Sequence, residues 1–293
     1  MTAARVSSER QAYLLLAPLL LLFVALFAYP LVEAAVLSVQ QTRGPNFSVF
    51  VGLSNFIDLF KDPLFLIALR NTLVFTACSL GIQLPLALAI ALALDRPWLR
   101  GRATIRLLLF SPAFVGVVFV ATLFSVMFEP NVGVINGWLE WLTFGAAGRV
   151  DWLDQQIMPA MILAAVWMYT GFSTVLFLAA LQSVDPELID AARLDGASTL
   201  QRFWNVTVPA IQPVGAFIVL FSVTGGVQLF ELPWILLNNS GGPENRGLTL
   251  VMYLYQTGFE RGDLGYASAI GWVVAVVLLG CAVALRPLMR RNT

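Results

Sequence analysis

Histidine is missing from this chain altogether, lysine occurs once, as Lys61, and only two cysteines are present. The first absence excludes histidine-based acid–base catalysis, histidine-containing triads and histidine-ligated zinc together. Cys78 and Cys281 lie far apart in apolar runs and read as small buried hydrophobes, not as a disulfide or a metal pair. The lone lysine does not end a glycine-rich loop of the Gly-Lys-Ser/Thr kind, so the chain is not expected to hydrolyse ATP itself or to bind a cofactor of its own. Charge is scarce as well. Only 12% of the residues are charged and 59% are hydrophobic, whereas about a quarter of a soluble domain is charged. Seventeen basic and 17 acidic residues cancel, which leaves no electrostatic footprint for nucleic acid. The composition is that of a polytopic membrane protein.

A spanning helix needs about 20 mostly apolar residues. Six segments meet that length: about Tyr13 to Leu37, Thr72 to Leu94, Leu107 to Phe128, Met158 to Leu181, Ala210 to Leu237 and Leu264 to Leu285. The expected fold is therefore all-α, with a six-helix transmembrane domain over 13–285 between tails at 1–12 and 286–293. The first span is too long for the core of a secretory signal and no small-residue cleavage site follows, so it reads as a retained signal anchor. Arginine sets the orientation. Arg5, Arg10, Arg96, Arg100, Arg102, Arg106, Arg193, Arg202, Arg286, Arg290 and Arg291 fall on one side. That side is expected to be cytoplasmic, with both termini and the loop at 185–209 on it. The membrane is expected to be a bacterial inner membrane.

Several connections carry their own signals. Phe50 to Leu73 is amphipathic, with Phe56, Leu59 and Phe60 at helical spacing, and Asp62-Pro63 restarts the chain before the second span. Arg96 to Arg102 is a basic turn that headgroup anchoring explains. Glu129 to Gln156 reads as a loop, with docking of an external solute-binding partner as the alternative. In the fourth span Tyr169 is either an interface aromatic or a ring and hydroxyl turned to a cavity. In the fifth, Thr224, Gln228 and Glu231 recur at i, i+4 and i+7, one face of one helix, after Gly225-Gly226 and before Pro233. A carboxylate inside a span is costly and usually turns to a cavity or a partner. The other reading puts Glu231 at the outer surface, solvated, capping the span.

The longest polar stretch with helix punctuation at both ends is Asp185 to Pro213. Asp185-Pro186 starts a helix through Leu194, Asp195-Gly196 turns the chain, and Ser198-Thr199-Leu200-Gln201 fits a capping box opening a second helix. Leu188, Ala191 and Ala192 share a small, smooth face with Asp190 beside it. Spacing alone is equally met by an ordinary surface hairpin.

The run Asp190-Ala191-Ala192, then Asp195-Gly196-Ala197, Phe203 and Pro209, resembles the cytoplasmic EAA loop of permease subunits in bacterial ABC importers, closest to the sugar-importer version. Asp190 stands where that family usually has glutamate. Asn55-Phe56, Ala68 to Thr72, Gly241-Gly242-Pro243, Thr249-Leu250, Tyr255-Gln256 and Leu264 to Ala269 extend the similarity to the maltose and glycerol-3-phosphate permease-like family over nearly the whole chain from Tyr13. The resemblance implies alternating access, with the loop, through Leu188, Asp190, Ala191, Ala192, Asp195, Gly196 and Ala197, gripped by a dimer of ATPase subunits that hold the ATP and magnesium. It also implies a second permease subunit, in all expectation a different chain, and an extracytoplasmic solute-binding protein that delivers a sugar or polyol. Counting back from Gly241-Gly242-Pro243, the positions of sugar contacts in the larger maltose-permease subunit fall on Thr224, Gln228 and Glu231, and Tyr169 suits a sugar as well. The alternatives are a self-contained secondary carrier, which has no need of the loop, and a membrane-embedded enzyme, which needs a polar constellation the spans do not offer.

Overall fold

Helix length against bilayer thickness decides the architecture. The computed structural model describes residues 2–44, 47–96, 101–146 and 148–289, with side chains from Tyr13 onward. Five helical stretches are long and apolar enough to cross a membrane: Tyr13–Ser38, Pro63–Asp95, Ile157–Gln182, Thr199–Leu236 and Leu264–Met289. The shorter of these have 26 residues, about 39 Å at ~1.5 Å per residue, against a hydrocarbon core of about 30 Å. The sixth is a bent pair.

The chain forms two compact units, Met1–Asp62 with Leu254–Val273, and Pro63–Tyr253 with Val274–Thr293. In the first, α1 (Thr2–Phe23) starts inside the segment read as a tail and continues through a π-turn at Val24–Ala28 into α2 (Tyr29–Ser38). A three-residue hairpin follows, β1 (Gln40–Thr42) antiparallel to β2 (Ser48–Phe50) with Gln40 opposite Phe50, the one departure from an all-α chain among the described residues. In α3 (Ser54–Leu59), Asn55 is buried and donates through Nδ2 to the Ser38 and Gln40 carbonyls at 2.9 and 2.8 Å. That bond pair ties the small helix to the end of the first span. The expected amphipathic connection is therefore a real element, and the chain restarts at Pro63 as read.

In the second unit α4 (Pro63–Asp95) takes in Arg70 and Asn71 ahead of Thr72 and is longer than the expected span. The expected straight third span, Leu107 to Phe128, is two helices, α5 (Arg102–Phe110) and α6 (Val117–Met127), at 97°. Pro112 stands in a 3₁₀ turn at Ser111–Phe114, Val115 is extended, and neither helix alone is long enough to cross. Beyond α6 come a short amphipathic helix, α7 (Val134–Leu142), and the long α8 (Ile157–Gln182), which packs along α4. Gly171 lets the Leu109 carbonyl rest on α8, since a Cβ there would occupy the same space as that oxygen.

The hairpin is α9 (Pro186–Leu194) and α10 (Thr199–Arg202), and a π-turn at Phe203–Thr207 leads into α11 (Val208–Val227). α12 (Glu231–Leu236), α13 (Leu250–Tyr255) and α14 (Leu264–Met289) complete the chain. Apolar clusters of buried side chains hold this unit. One is built around Phe75, Phe124, Phe128, Ile157, Met161 and Leu232, another around Ala91, Leu94, Phe177, Leu181 and Ile211. Cys78 is exposed and Cys281 half-buried, both as free thiols.

Candidate functional sites: a cavity between spans and a capped hairpin

The fifth span is where sequence and structure part. α11 ends at Val227 and Gln228 caps it, its amide still on the Thr224 carbonyl at 3.0 Å, so Thr224 and Gln228 keep their common face; a new helix begins at Glu231, and the break at Gln228–Phe230 separates Glu231 from that helix. Proline at 233 favours the break without forcing it, since Pro85 and Pro213 stand inside continuous helices: it has no N–H to return to the Leu229 carbonyl, four residues back. That carbonyl instead accepts a 2.7 Å bond from the buried Thr249 hydroxyl. Thr249 therefore stitches the loop after α12 onto the point where α11 stops. Asn71 does similar work from α4, donating to the Asn245 and Leu248 carbonyls at 2.8 and 3.0 Å, while Thr72 accepts the Leu250 amide at 2.9 Å.

Just inside the break lies a cavity of about 150 Å³. α4 contributes Phe75, Ser79 and Gln83, α8 contributes Tyr169, Phe172 and Ser173, and α11 contributes Phe221, Ser222 and the Gly225-Gly226 backbone. The buried Gln83 Nε2 donates to Ser173 Oγ at 2.9 Å and to the Tyr169 carbonyl at 3.4 Å, which bridges α4 to α8 at the cavity wall. The lining is mostly apolar, with aromatic rings on three sides, while the Gln83 amide and the Ser79 and Ser173 hydroxyls are buried in the wall and hydrogen-bonded within the protein.

Of the expected site residues, Tyr169 lines this cavity. Thr224 is half-buried and returns its hydroxyl to the Leu220 carbonyl at 2.9 Å, and Gln228 and Glu231 are exposed at the helix break. Gln83, Ser79, Ser173 and Phe221 escaped the sequence reading. A glutamine in the middle of the second span, two residues before Pro85, was the available signal, because an uncharged polar group there needs a partner. Among the described residues no three of His, Cys, Asp and Glu come together, so no donor set for a metal is on offer.

At the other end of α8 the hairpin has the local chemistry its sequence announced. Asp185 accepts the Glu187 amide at 2.9 Å with Pro186 in the first turn. The helix closes in a Schellman motif: the Ala197 amide reaches the Ala192 carbonyl, the Gly196 amide reaches that of Arg193, and Gly196 has φ of +77°. Ser198 and Gln201 form the reciprocal capping box, and Arg202 donates to the Ala197 carbonyl at 2.7 Å, clamping the bend. Asp190 is paired with Arg193 on its own helix at 2.8 Å. Ile189 turns inward onto the cluster formed by the ends of α4 and α8. Leu188, Ala191, Asp195 and Gly196 face out and Ala192 and Ala197 are half-buried, while Leu194, Leu200 and Trp204 add a larger exposed apolar surface that spacing had not indicated.

Residues 88–291 match the family model described as "Binding-protein-dependent transport system inner membrane component". The arabinooligosaccharides transport system permease protein AraP of Bacillus subtilis is 36% identical over 276 residues, covering 93% of this chain and 86% of that protein. A crystal structure of a bacterial ABC transporter involved in the import of the acidic polysaccharide alginate superposes with a TM-score of 0.83 at 26% identity, over 100% of this chain and 99% of that one. A second, of the bacterial alginate ABC transporter with its periplasmic protein bound to alginate pentasaccharide, gives 0.83 at 25% identity, over 98% and 96%. With its six apolar spans and punctuated hairpin, the chain belongs to the inner membrane components of binding-protein-dependent ABC transport systems and is a membrane-spanning transport subunit.

Proposed function

We propose that this chain is one permease half of an ATP-driven importer that takes up a sugar or related oligosaccharide by alternating access. The observation that carries the mechanism is Ile189: the hairpin is anchored on the cluster where α4 and α8 end, and those same helices wall the cavity. A push on the hairpin is therefore a push on Gln83, Tyr169 and Ser173. Two ATPase subunits, which bind and hydrolyse ATP, grip the exposed side of the hairpin at Leu188, Ala191, Leu194 and Trp204. A second permease subunit faces the cavity, and a binding protein brings substrate from the outer side. Both termini and the hairpin lie in the cytoplasm, in keeping with the arginines. The named relatives handle arabinooligosaccharides and alginate, which supports a carbohydrate cargo, and the aromatic rings of the cavity offer faces on which a sugar ring can stack. Glu231, exposed at the helix break, accepts sugar hydroxyls as substrate passes it.

The test is uptake by the importer reconstituted from this chain with its ATPase, second permease and binding protein. Tyr169→Leu and Glu231→Gln should lower the uptake rate while leaving the complex assembled. Unchanged uptake kinetics in both variants would remove the cavity from the pathway, and a tagged chain that never brings down an ATPase would sink the importer reading itself.

A further inference from the structure

α7 carries an apolar face that nothing in the described chain covers. At ~100° per residue, Val134, Trp138, Trp141 and Leu142 fall within an arc of about 100°. They are 49, 64, 76 and 65% exposed, and Phe144 just beyond the helix is 99% exposed. Glu140 is exposed outside that arc, while Ile135 and Leu139, on the flank of the arc, are half-buried and Asn136 is buried.

What fixes α7 in space is unusually complete for a nine-residue helix. The buried Asn136 donates through Nδ2 to the Pro130 and Val150 carbonyls at 3.0 and 2.9 Å, and its Oδ1 accepts Trp152 Nε1 at 2.9 Å. The Trp152 ring lies 5.6 Å from that of Phe128, the residue that ends α6. The Glu129 carboxylate accepts the Asn131 and Val132 amides at 2.8 and 2.6 Å and closes the turn between α6 and α7. Ile135, Trp152 and Leu153 pack onto the cluster holding Phe128 and Ile157, the outer ends of α6 and α8. α7 is thereby held at the height where two spans leave the membrane, at the end of α8 away from the hairpin. Phe119, Leu123 and Val126 on α6 and Val132 in the turn before α7 are exposed apolar side chains as well.

That height is the headgroup layer, where tryptophan is enriched because its ring is apolar and its N–H is wet. A short helix with one apolar face at that level sinks the face to the headgroup–acyl boundary. We propose that α7 is an interfacial helix whose Val134, Trp138, Trp141 and Leu142 face is embedded in phospholipid, on the leaflet opposite the hairpin. It sets the depth of the α6–α8 turn against the bilayer. The inference rests on the spans crossing the membrane and not on the identity of the cargo.

The experiment uses the assembled importer in phospholipid nanodiscs. In a Cys78→Ser, Cys281→Ser background, Trp138→Cys, Trp141→Cys and Glu140→Cys each receive an environment-sensitive fluorophore, and lipids carrying a nitroxide near the headgroup serve as quencher. Labels at 138 and 141 should emit at shorter wavelength and be quenched at least about twofold more than the label at 140, as expected for one buried and one wet face. Equal quenching at all three positions overturns the proposal. A photoreactive phenylalanine analogue at Trp141 in the otherwise native chain is the second measurement. Adducts of phospholipid mass support the assignment, and a cross-link to the second permease subunit or to added binding protein overturns it.

Discussion

Gly226→Ala should destabilise the transport subunit, and Thr76→Ala should rescue it. A Cβ at 226 would sit 2.8 Å from Thr76 Oγ1, 2.9 Å from its Cγ2 and 3.2 Å from its Cβ. The first two distances are shorter than real Cβ contacts, so α11 and α4 must separate or Thr76 must leave its rotamer. Overpacking of this kind costs about 1–3 kcal/mol. Thr76→Ala removes the two nearest atoms, and its hydroxyl has no hydrogen-bond partner among the described residues, so no bond to them is broken by taking it away. Alone, that change should cost about 1 kcal/mol, the scale of one lost methyl group in a core. The double variant should recover most of the loss, giving a coupling of about 1–2 kcal/mol of the sign that marks a direct steric contact. The thermal midpoints of the four purified subunits, recorded in one detergent at one scan rate, measure it. Wild-type stability of Gly226→Ala, or strictly additive losses in the double variant, would show that the glycine is not there to admit Thr76.

Two further changes test the hairpin and the outer turn. Gly196 has open space where a Cβ would go, so Gly196→Val should act only through its +77° φ, costing about 1–2 kcal/mol of backbone strain; ATP hydrolysis should then run ahead of uptake, Gly196→Asn should be milder, and equal coupling in all three would clear the bend of a role. The Glu129 carboxyl is held below its ordinary value mainly by the Val132 amide, with help from Asn131 and Arg149, against a smaller opposing effect of burial. A carboxylate lowered by folding contributes stability that is complete above its unfolded value, about 4.3, and is lost as pH falls through the lower folded value. The midpoint difference between wild type and Glu129→Gln should therefore stay flat from about pH 8 to 6 and shrink only below about pH 4; a difference that already closes between pH 7 and 5.5 would contradict the assigned bonds.

Local physics was legible in the chain itself. The hairpin at 185–202 follows from an aspartate before a proline, a glycine after the last helical turn and a serine three residues before a glutamine, because each of those contacts closes within a few residues. Span number followed from length, and class from the shortage of charge. The helix break before Glu231 was only half legible: Pro233 forbids one bond, but Thr249, twenty residues on, supplies the partner that makes stopping there cheap. A helical wheel, which assumes one unbroken helix, placed Thr224 and Gln228 together as they are, but carried that face on to Glu231 across a break it could not see. The cavity was not legible at all, since Gln83, Ser173 and Phe221 come from three spans and meet only when α4, α8 and α11 pack. The 97° bend between α5 and α6 belongs with it. Proline and glycine in the sequence permit a bend, and only the packing of Leu109 against Gly171 says where the two pieces go.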